Sequence, residues 1–359
     1  MNTEELFIQL LQIAIGRRQQ LSEKPSSKKW LSIYELANEQ AVAGICIAGV
    51  DKLPKEQMPP QMMLLEWIDQ SEQIRQQNSY LDNLTVRIWK QLNEDGLDAA
   101  ILKGQGLAQE YGELASLRQS GDIDVWILGG YQTVCDYVQR TIPTDDLTYH
   151  HFHYPYYEDI QVELHQRPTI LRNLIRDKKL AKWYNSFTAD QFIFIENKQF
   201  AVPPPAFNRI FILAHMYRHF LFEGIGMRQI LDYYYVLLNS EKSVNEEKVL
   251  KTLGLTTFAS AVMWLLNSLF GLEEEKMITL PNENEGHILL KEIFMTGNFG
   301  HSDDRYNYRH FRLLRRLIGR GSHLLIHYPS EIVWTPIWLV FHKWWKWDKK
   351  RHITMLESA

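Results

Sequence analysis

The feature that most constrains this chain is the stretch Gly121-Asp122-Ile123-Asp124-Val125-Trp126-Ile127-Leu128. Its apolar positions predict a strand, and side chains alternate along a strand. Asp122 and Asp124 therefore share one face, while Ile123, Val125 and Ile127 share the other and belong to a core. Two neighbouring carboxylates repel, and burying them without a partner is costly. A solvated strand end closed by a salt bridge satisfies such a pair, and so does a divalent cation. Mg²⁺ takes one or two carboxylates together with substrate phosphates.

A second segment, Ile160-Gln161-Val162-Glu163-Leu164-His165, has the same alternation. Val162 and Leu164 face inward, and Gln161, Glu163 and His165 share the outer face. Glu163 then stands as a third carboxylate beside the first two, a set suited to two Mg²⁺ or Mn²⁺ ions and in-line phosphoryl or nucleotidyl transfer. His165 reads as a structural or supporting histidine. Upstream, Leu102-Lys103-Gly104-Gln105-Gly106-Leu107 lies at a strand-to-helix junction. Glycines at Gly104 and Gly106 let backbone amides approach an anion, the new helix start favours one, and Lys103 adds a full charge. The string is neither a dinucleotide fingerprint, since position 109 is Gln, nor a Walker loop. Arg118 precedes the Asp pair and reads as a phosphate ligand or a partner for an Asp.

Around these motifs the pattern is helical, then mixed, then helical. Leu6, Leu10, Leu11 and Ile15 form one helical stripe, Trp30, Ile33, Leu36 and Ala37 a second, and 60–94 a third helix. Strands are expected at 97–102, 122–128, 147–154, 159–166 and 192–196, with helices at 105–116 and 131–141. After Pro203-Pro204-Pro205, a stiff break, helices resume through about residue 347. The expected organisation is a helical region over 1–94, an α+β core over 95–202 and a helical region over 203–359.

Composition excludes several classes. At 45% hydrophobic and 23% charged residues, extended disorder is not expected, and a net charge of −4 gives no reason to expect global nucleic-acid binding. Cys46 and Cys135 form no C-x-x-C pair, so no disulfide framework or thiolate zinc site is expected. The apolar runs 5–15 and 332–342 are too short to span a bilayer. A reducing, cytoplasmic setting is the expectation.

Taken in order, strand, glycine turn, helix, Asp-x-Asp strand and a further carboxylate strand resemble the polymerase-β-like nucleotidyltransferase plan. More narrowly, Leu102-Lys103-Gly104, Arg118, Gly121-Asp122-Ile123-Asp124 and Glu163-Leu164-His165 resemble an uncharacterised nucleotidyltransferase family found in many bacterial genomes. The similarity extends to residues 30–53 and to His215, Arg218-His219, Gly224-Ile225-Gly226, Arg228 and Asp232, covering most of 25–345. The resemblance implies a small mixed sheet embedded in helices and a metal-dependent transfer of a nucleoside monophosphate from an NTP. Asp122, Asp124 and Glu163 would form the metal and catalytic set. Lys103, Gly104, Gly106, Arg118 and Arg228 would hold the nucleotide, with His165, His215, His219 and Asp232 near the substrate. It names no acceptor, so a small molecule, a sugar, RNA or protein all stand. This chain departs from the superfamily in two ways. Its turn reads Lys-Gly-Gln-Gly with Asp122 eighteen residues past Gly104, and its third carboxylate is Glu rather than Asp.

Competing readings remain open at this level. One is a non-catalytic nucleotide- or partner-binding module of the same fold. Another is a toxin-like nucleotidyltransferase acting on RNA or protein. His215 and His219, spaced i, i+4, offer a zinc pair but lack an intervening Glu and read better as packing or substrate groups. His150, His151 and His153 alternate faces on a strand, so no metal site is expected there. Residues 305–351 carry eleven Lys or Arg and five Trp. They read as a solvated basic helix (Arg309, Arg312, Arg315, Arg316, Arg320) followed by a docking helix, with an anionic partner or a membrane surface as the sharper alternatives.

Overall fold

The structure is a computed structural model that describes residues 2–154, 159–243, 245–302 and 323–357. The basic stretch from Arg309 to Arg320 lies outside the described residues, as does Pro155.

Helices α1 (Thr3–Ala14), α2 (Ser27–Glu39) and α3 (Ala43–Val50) open the chain. A capping box starts α1: Asn2 Oδ1 accepts from the Glu4 N–H at 2.9 Å, and the Glu5 carboxylate accepts from the Asn2 N–H at 3.3 Å. The expected stripes are buried through Leu6, Leu10 and Leu11 on α1 and Trp30, Ile33 and Ala37 on α2, with Ile15 and Leu36 packed at the margin. Helix α4 (Gln61–Glu94) has 34 residues, so it runs about 51 Å. Its first half buries Trp67 among the helices, and its second half buries Leu81, Leu84, Ile88 and Leu92 beneath the sheet.

The sheet has the strand order β1-β2-β4-β3, with β1 (Ala99–Ile101), β2 (Ile123–Ile127), β3 (His151–Tyr154) and β4 (Val162–His165). β2 and β4 are parallel, and the outer pairs are antiparallel. Asp124 pairs with Glu163, Trp126 with His165, and His151 with His165. One face therefore carries Ile123, Val125, Ile127, Val162, Leu164 and Phe152, which pack with α4 and α6 (Gly130–Thr141). The opposite face carries Asp124, Glu163, His165, His151 and His153.

Three details differ from the sequence reading. The helix expected at 105–116 is a short α5 (Gln105–Ala108) followed by a 3₁₀ segment, Gln109–Leu117, kinked where Gly112 takes φ 56°. The strand expected from 147 begins at His151, because residues 147–150 turn sharply: the Thr148 N–H donates to the His151 carbonyl at 2.8 Å. An unforeseen strand β6 (Phe200–Val202) pairs with β5 (Ile193–Ile195) as a separate hairpin.

The second half is helical: α7 (Leu174–Tyr184), α8 (Pro205–Phe222), α9 (Met227–Leu238), α10 (Glu246–Leu253), α11 (Thr256–Phe270), α12 (Glu283–Thr296) and α13 (Pro329–Glu357). Pro205 opens α8 at the first helical position, where a missing N–H costs nothing. Helix α8 is buried nearly all round, the mark of a central helix. Phe207 on α8 stacks on Trp126 of β2 with ring centroids 4.9 Å apart. Residues of α1 and α3 share one apolar core with α8, α9 and α11, so the two ends of the chain build a single helical body beside the sheet. Among the described residues, no helix is long and apolar enough to cross a membrane.

Candidate active site between the sheet and helices α8 and α9

The polar face of the sheet looks toward α8 and α9. Asp124 lies on β2 with its side chain wholly buried, while Asp122, just before the strand, stays partly exposed. Lys103 follows β1, whose pairing with β2 continues through the Leu102 N–H to the Asp124 carbonyl at 2.9 Å. Its ammonium stands between the two carboxylates, 3.0 Å from Asp122 Oδ2 and 2.7 Å from Asp124 Oδ2. Burial works against that charge, but Asp122, Asp124 and Glu163 outweigh it and hold Lys103 protonated.

Each glycine of the Lys-Gly-Gln-Gly turn has a backbone reason. Gly104 takes φ 49° and ψ −119°, a conformation that side-chain-bearing residues rarely adopt. At Gly106 a Cβ would sit 2.5 Å from the Ile101 carbonyl oxygen, so only glycine lets α5 start so close to β1. The turn thereby delivers Lys103 to the Asp pair.

His165 links Asp124 to Glu163. Its Nε2 lies 2.8 Å from Asp124 Oδ1 and 3.2 Å from Glu163 Oε2, and its Nδ1 lies 3.2 Å from the Arg167 carbonyl. The carbonyl can only accept, so Nδ1 carries a proton and Nε2 faces two anions. Burial disfavours an imidazolium here, yet the hydrogen bonds to Asp124 and Glu163 prevail and raise the His165 pKa to about 9. Glu163 in turn is held well below its ordinary value: burial opposes ionisation, and the hydrogen bond from His165 overrides it. On the far side of Glu163, His151 Nδ1 stands 3.0 Å from Oε2. Burial, reinforced by His165 and His153, keeps His151 neutral with a pKa of about 2. His151, Glu163 and His165 offer ligand atoms that all lie within 4.8 Å of one another.

The loop that carries Asp122 is fastened to α9. Arg118 Nε and Nη2 reach the two carboxylate oxygens of Asp232 at 2.6 and 2.7 Å, and the Tyr111 hydroxyl donates to Oδ1 at 2.7 Å. Arg228 Nη1 donates to the Gln119 carbonyl at 3.0 Å. Arg118 is thus the partner of an Asp on another element, the second of the two roles its position suggests. A narrow cleft of about 30 Å³ lies between these parts, lined among others by Lys103, Gly104, Asp122, His215, Arg228 and Phe299.

His215 and His219 sit on α8 with ring centroids 4.3 Å apart. Both nitrogens of His219 are engaged, Nδ1 with Glu223 at 2.6 Å and Nε2 with Arg218 at 3.0 Å. Arg218 also reaches His150 Nε2 at 2.8 Å, tying α8 to the sheet. Alternation along a strand argues against a metal site at the 150–153 histidines, but it separates only immediate neighbours. His151 and His153 are two apart, and the antiparallel register of β3 on β4 brings both to the Glu163 face. Their spacing is the signal the sequence offers; the register is not legible in it.

The chain matches the family described as uncharacterised nucleotidyltransferase over residues 26–271 and belongs to that family. Its fold is accordingly a small mixed sheet of nucleotidyltransferase type set among helices. No curated protein matches the chain. A solved structure, an antigenic nucleotidyltransferase-like protein from Paracoccidioides brasiliensis, is similar at 10% identity and a TM-score of 0.35, over 58% of this chain and 96% of its own.

Proposed function

We propose that the protein is a metal-dependent nucleotidyltransferase that moves a nucleoside monophosphate from an NTP to an acceptor bound between the sheet and helices α8 and α9. The observation that carries this reading is the cationic grip on the Asp pair at the mouth of a cleft. Asp122 and Asp124 share one face, and Lys103 and Arg228 line the same space.

The residues fit a divalent ion. Asp124 Oδ2 is buried and makes no hydrogen bond of proper geometry, although the Lys103 ammonium lies 2.7 Å away. An ion would ligate this oxygen by displacing the Lys103 ammonium. Asp122 and Asp124 would hold Mg²⁺ or Mn²⁺, with Glu163 completing the set. The ion would supply charge neutralisation on the triphosphate and on the leaving pyrophosphate.

The chain's own groups do the rest. Lys103, displaced from the carboxylates, turns its ammonium to the phosphates, and Arg228 adds a second positive charge from α9. The Arg118–Asp232 pair keeps Asp122 in place. In the transfer, an acceptor oxygen bonds to the α-phosphorus, the bond to the bridging oxygen breaks, and pyrophosphate leaves. Glu163 takes the acceptor's proton or serves as the third ligand. Incubation with α-labelled NTPs, Mg²⁺ and a cell extract should label an acceptor, and Asp124→Asn should abolish labelling while the chain stays folded. Labelling that persists in Asp124→Asn refutes the assignment.

One observation favours a second reading, a nucleotide-binding module without turnover. Lys103 and His165 already oppose the charge of the carboxylates without an added ion. NTP-dependent stabilisation of the fold with no labelled product would select it.

A further inference from the structure

The geometry points to a transition-metal site at His151, Glu163 and His165, built for Zn²⁺ or a similar borderline ion and distinct in chemistry from the Asp122–Asp124 pair. Mg²⁺ prefers oxygen ligands, whereas two imidazoles and one carboxylate suit Zn²⁺ and its neighbours. The donor atoms are His151 Nδ1, Glu163 Oε2 and His165 Nε2, the last of which gives up its proton when the ion binds. Oε2 stands 3.0 Å from His151 Nδ1 and 3.2 Å from His165 Nε2, and all three lie within 4.8 Å of one another. A tetrahedral ion with ligands at about 2.0–2.2 Å spaces its donors roughly 3.3–3.5 Å apart, so the triad needs shifts of only tenths of an ångström where the distances are given.

Four further observations support a built site. His151 and His165 are 6% and 2% exposed, so neither nitrogen is an idle surface group. His151 Nδ1 is buried and, despite its nearness to Oε2, makes no hydrogen bond there. The second nitrogen of each ring already has a partner, and for His165 it is a backbone carbonyl, a kind that orients metal-binding histidines. His165 Nδ1 faces the Arg167 carbonyl at 3.2 Å, and His151 Nε2 faces His153 Nε2 at 3.3 Å. The remaining oxygen of Glu163 is fixed by Gln161 Nε2 at 2.7 Å. Three protein ligands leave a fourth position, which is the arrangement of sites that bind water or substrate. Asp124 Oδ1, 2.8 Å from His165 Nε2, borders it.

The test is direct binding with Zn²⁺ against a chromophoric chelator, with Co²⁺ as an optical probe, on the purified full chain without nucleotide. Wild type should take one Zn²⁺ per chain, give the visible bands of low-symmetry Co²⁺, and keep the ion against a large excess of Mg²⁺. His151→Gln should weaken Zn²⁺ binding by at least ~10–100-fold. Asp122→Asn should leave it unchanged, which separates this site from the Mg²⁺ site of the proposed function, with which it shares only Glu163. Circular dichroism monitors folding. If His165→Gln fails to fold, His151→Gln and the wild-type Co²⁺ spectrum still decide. Equal Zn²⁺ affinity in wild type and His151→Gln, or ready displacement by Mg²⁺, overturns the site.

Discussion

Replacing Asp232 by Asn tests the clamp on the Asp122 loop. Asp232 and Arg118 are both almost fully buried, and the pair is bidentate at 2.6 and 2.7 Å, with the Tyr111 hydroxyl on the same carboxylate. Asn keeps the volume and one acceptor oxygen but removes the charge, so the Arg118 guanidinium is left hydrogen-bonded to neutral groups alone, Ser120 Oγ and the Gln119 carbonyl among them. Removing one member of a buried pair costs about 3–5 kcal/mol, because the other charge stays desolvated. Replacing both, as in Arg118→Met with Asp232→Leu, should cost much less than the single change. The assay is urea unfolding at 25 °C followed by tryptophan fluorescence and circular dichroism. The pH dependence gives a second handle. Burial opposes ionisation of Asp232, but Arg118 and Tyr111 prevail and lower its pKa. A depressed carboxyl contributes stability above its unfolded pKa of about 3.9 and loses it as pH falls through the folded value. The gap between wild type and Asp232→Asn should therefore be full at pH 6 and shrink below about pH 4. A single-variant cost below about 1 kcal/mol, or a gap that does not shrink in acid, would refute the reasoning.

Three other outcomes follow from the same geometry. Gly106→Ala places a Cβ 2.5 Å from the Ile101 carbonyl oxygen and should lower stability by about 1–3 kcal/mol, read as a reduced melting temperature; an unchanged melt removes the close-approach argument. His165 has a raised folded pKa, so its contribution is complete below the unfolded value of about 6.5 and is lost as pH rises through about 9. Melting temperatures of wild type should fall across that window, and those of His165→Gln should fall less. Cys46 is fully buried and its thiol is pushed far up by desolvation, so a thiol reagent should not modify it until the chain unfolds; alkylation at native rates would contradict the packing of α3.

The parts of the site that lie on one strand are legible in the amino-acid sequence. Alternation alone puts Asp122 beside Asp124 and Glu163 beside His165, and an apolar run ending in Lys-Gly places the turn. What is not legible there is set by pairing between segments. His151 joins Glu163 only through the register of β3 on β4. Arg118 finds Asp232 across 114 residues, which no local pattern encodes. The helix expected at 105–116 is α-helical only to Ala108 and kinks further on where Gly112 takes a positive φ, and a glycine inside an apolar pattern does not announce which role it has. The short hairpin partner Phe200–Val202 carries too few residues for a periodic signal.

Helix α4 places one end among the α1–α3 helices and the other under the sheet, with Trp67 in the first core and Leu81, Leu84, Ile88 and Leu92 in the second. A continuous helix cannot lose its backbone hydrogen bonds in one half without exposing apolar side chains that the other half depends on for alignment. The two cores are therefore coupled through a common rod, and they should melt in one calorimetric transition. The same rod makes the helical body a rigid reference frame for the strand bearing Asp124.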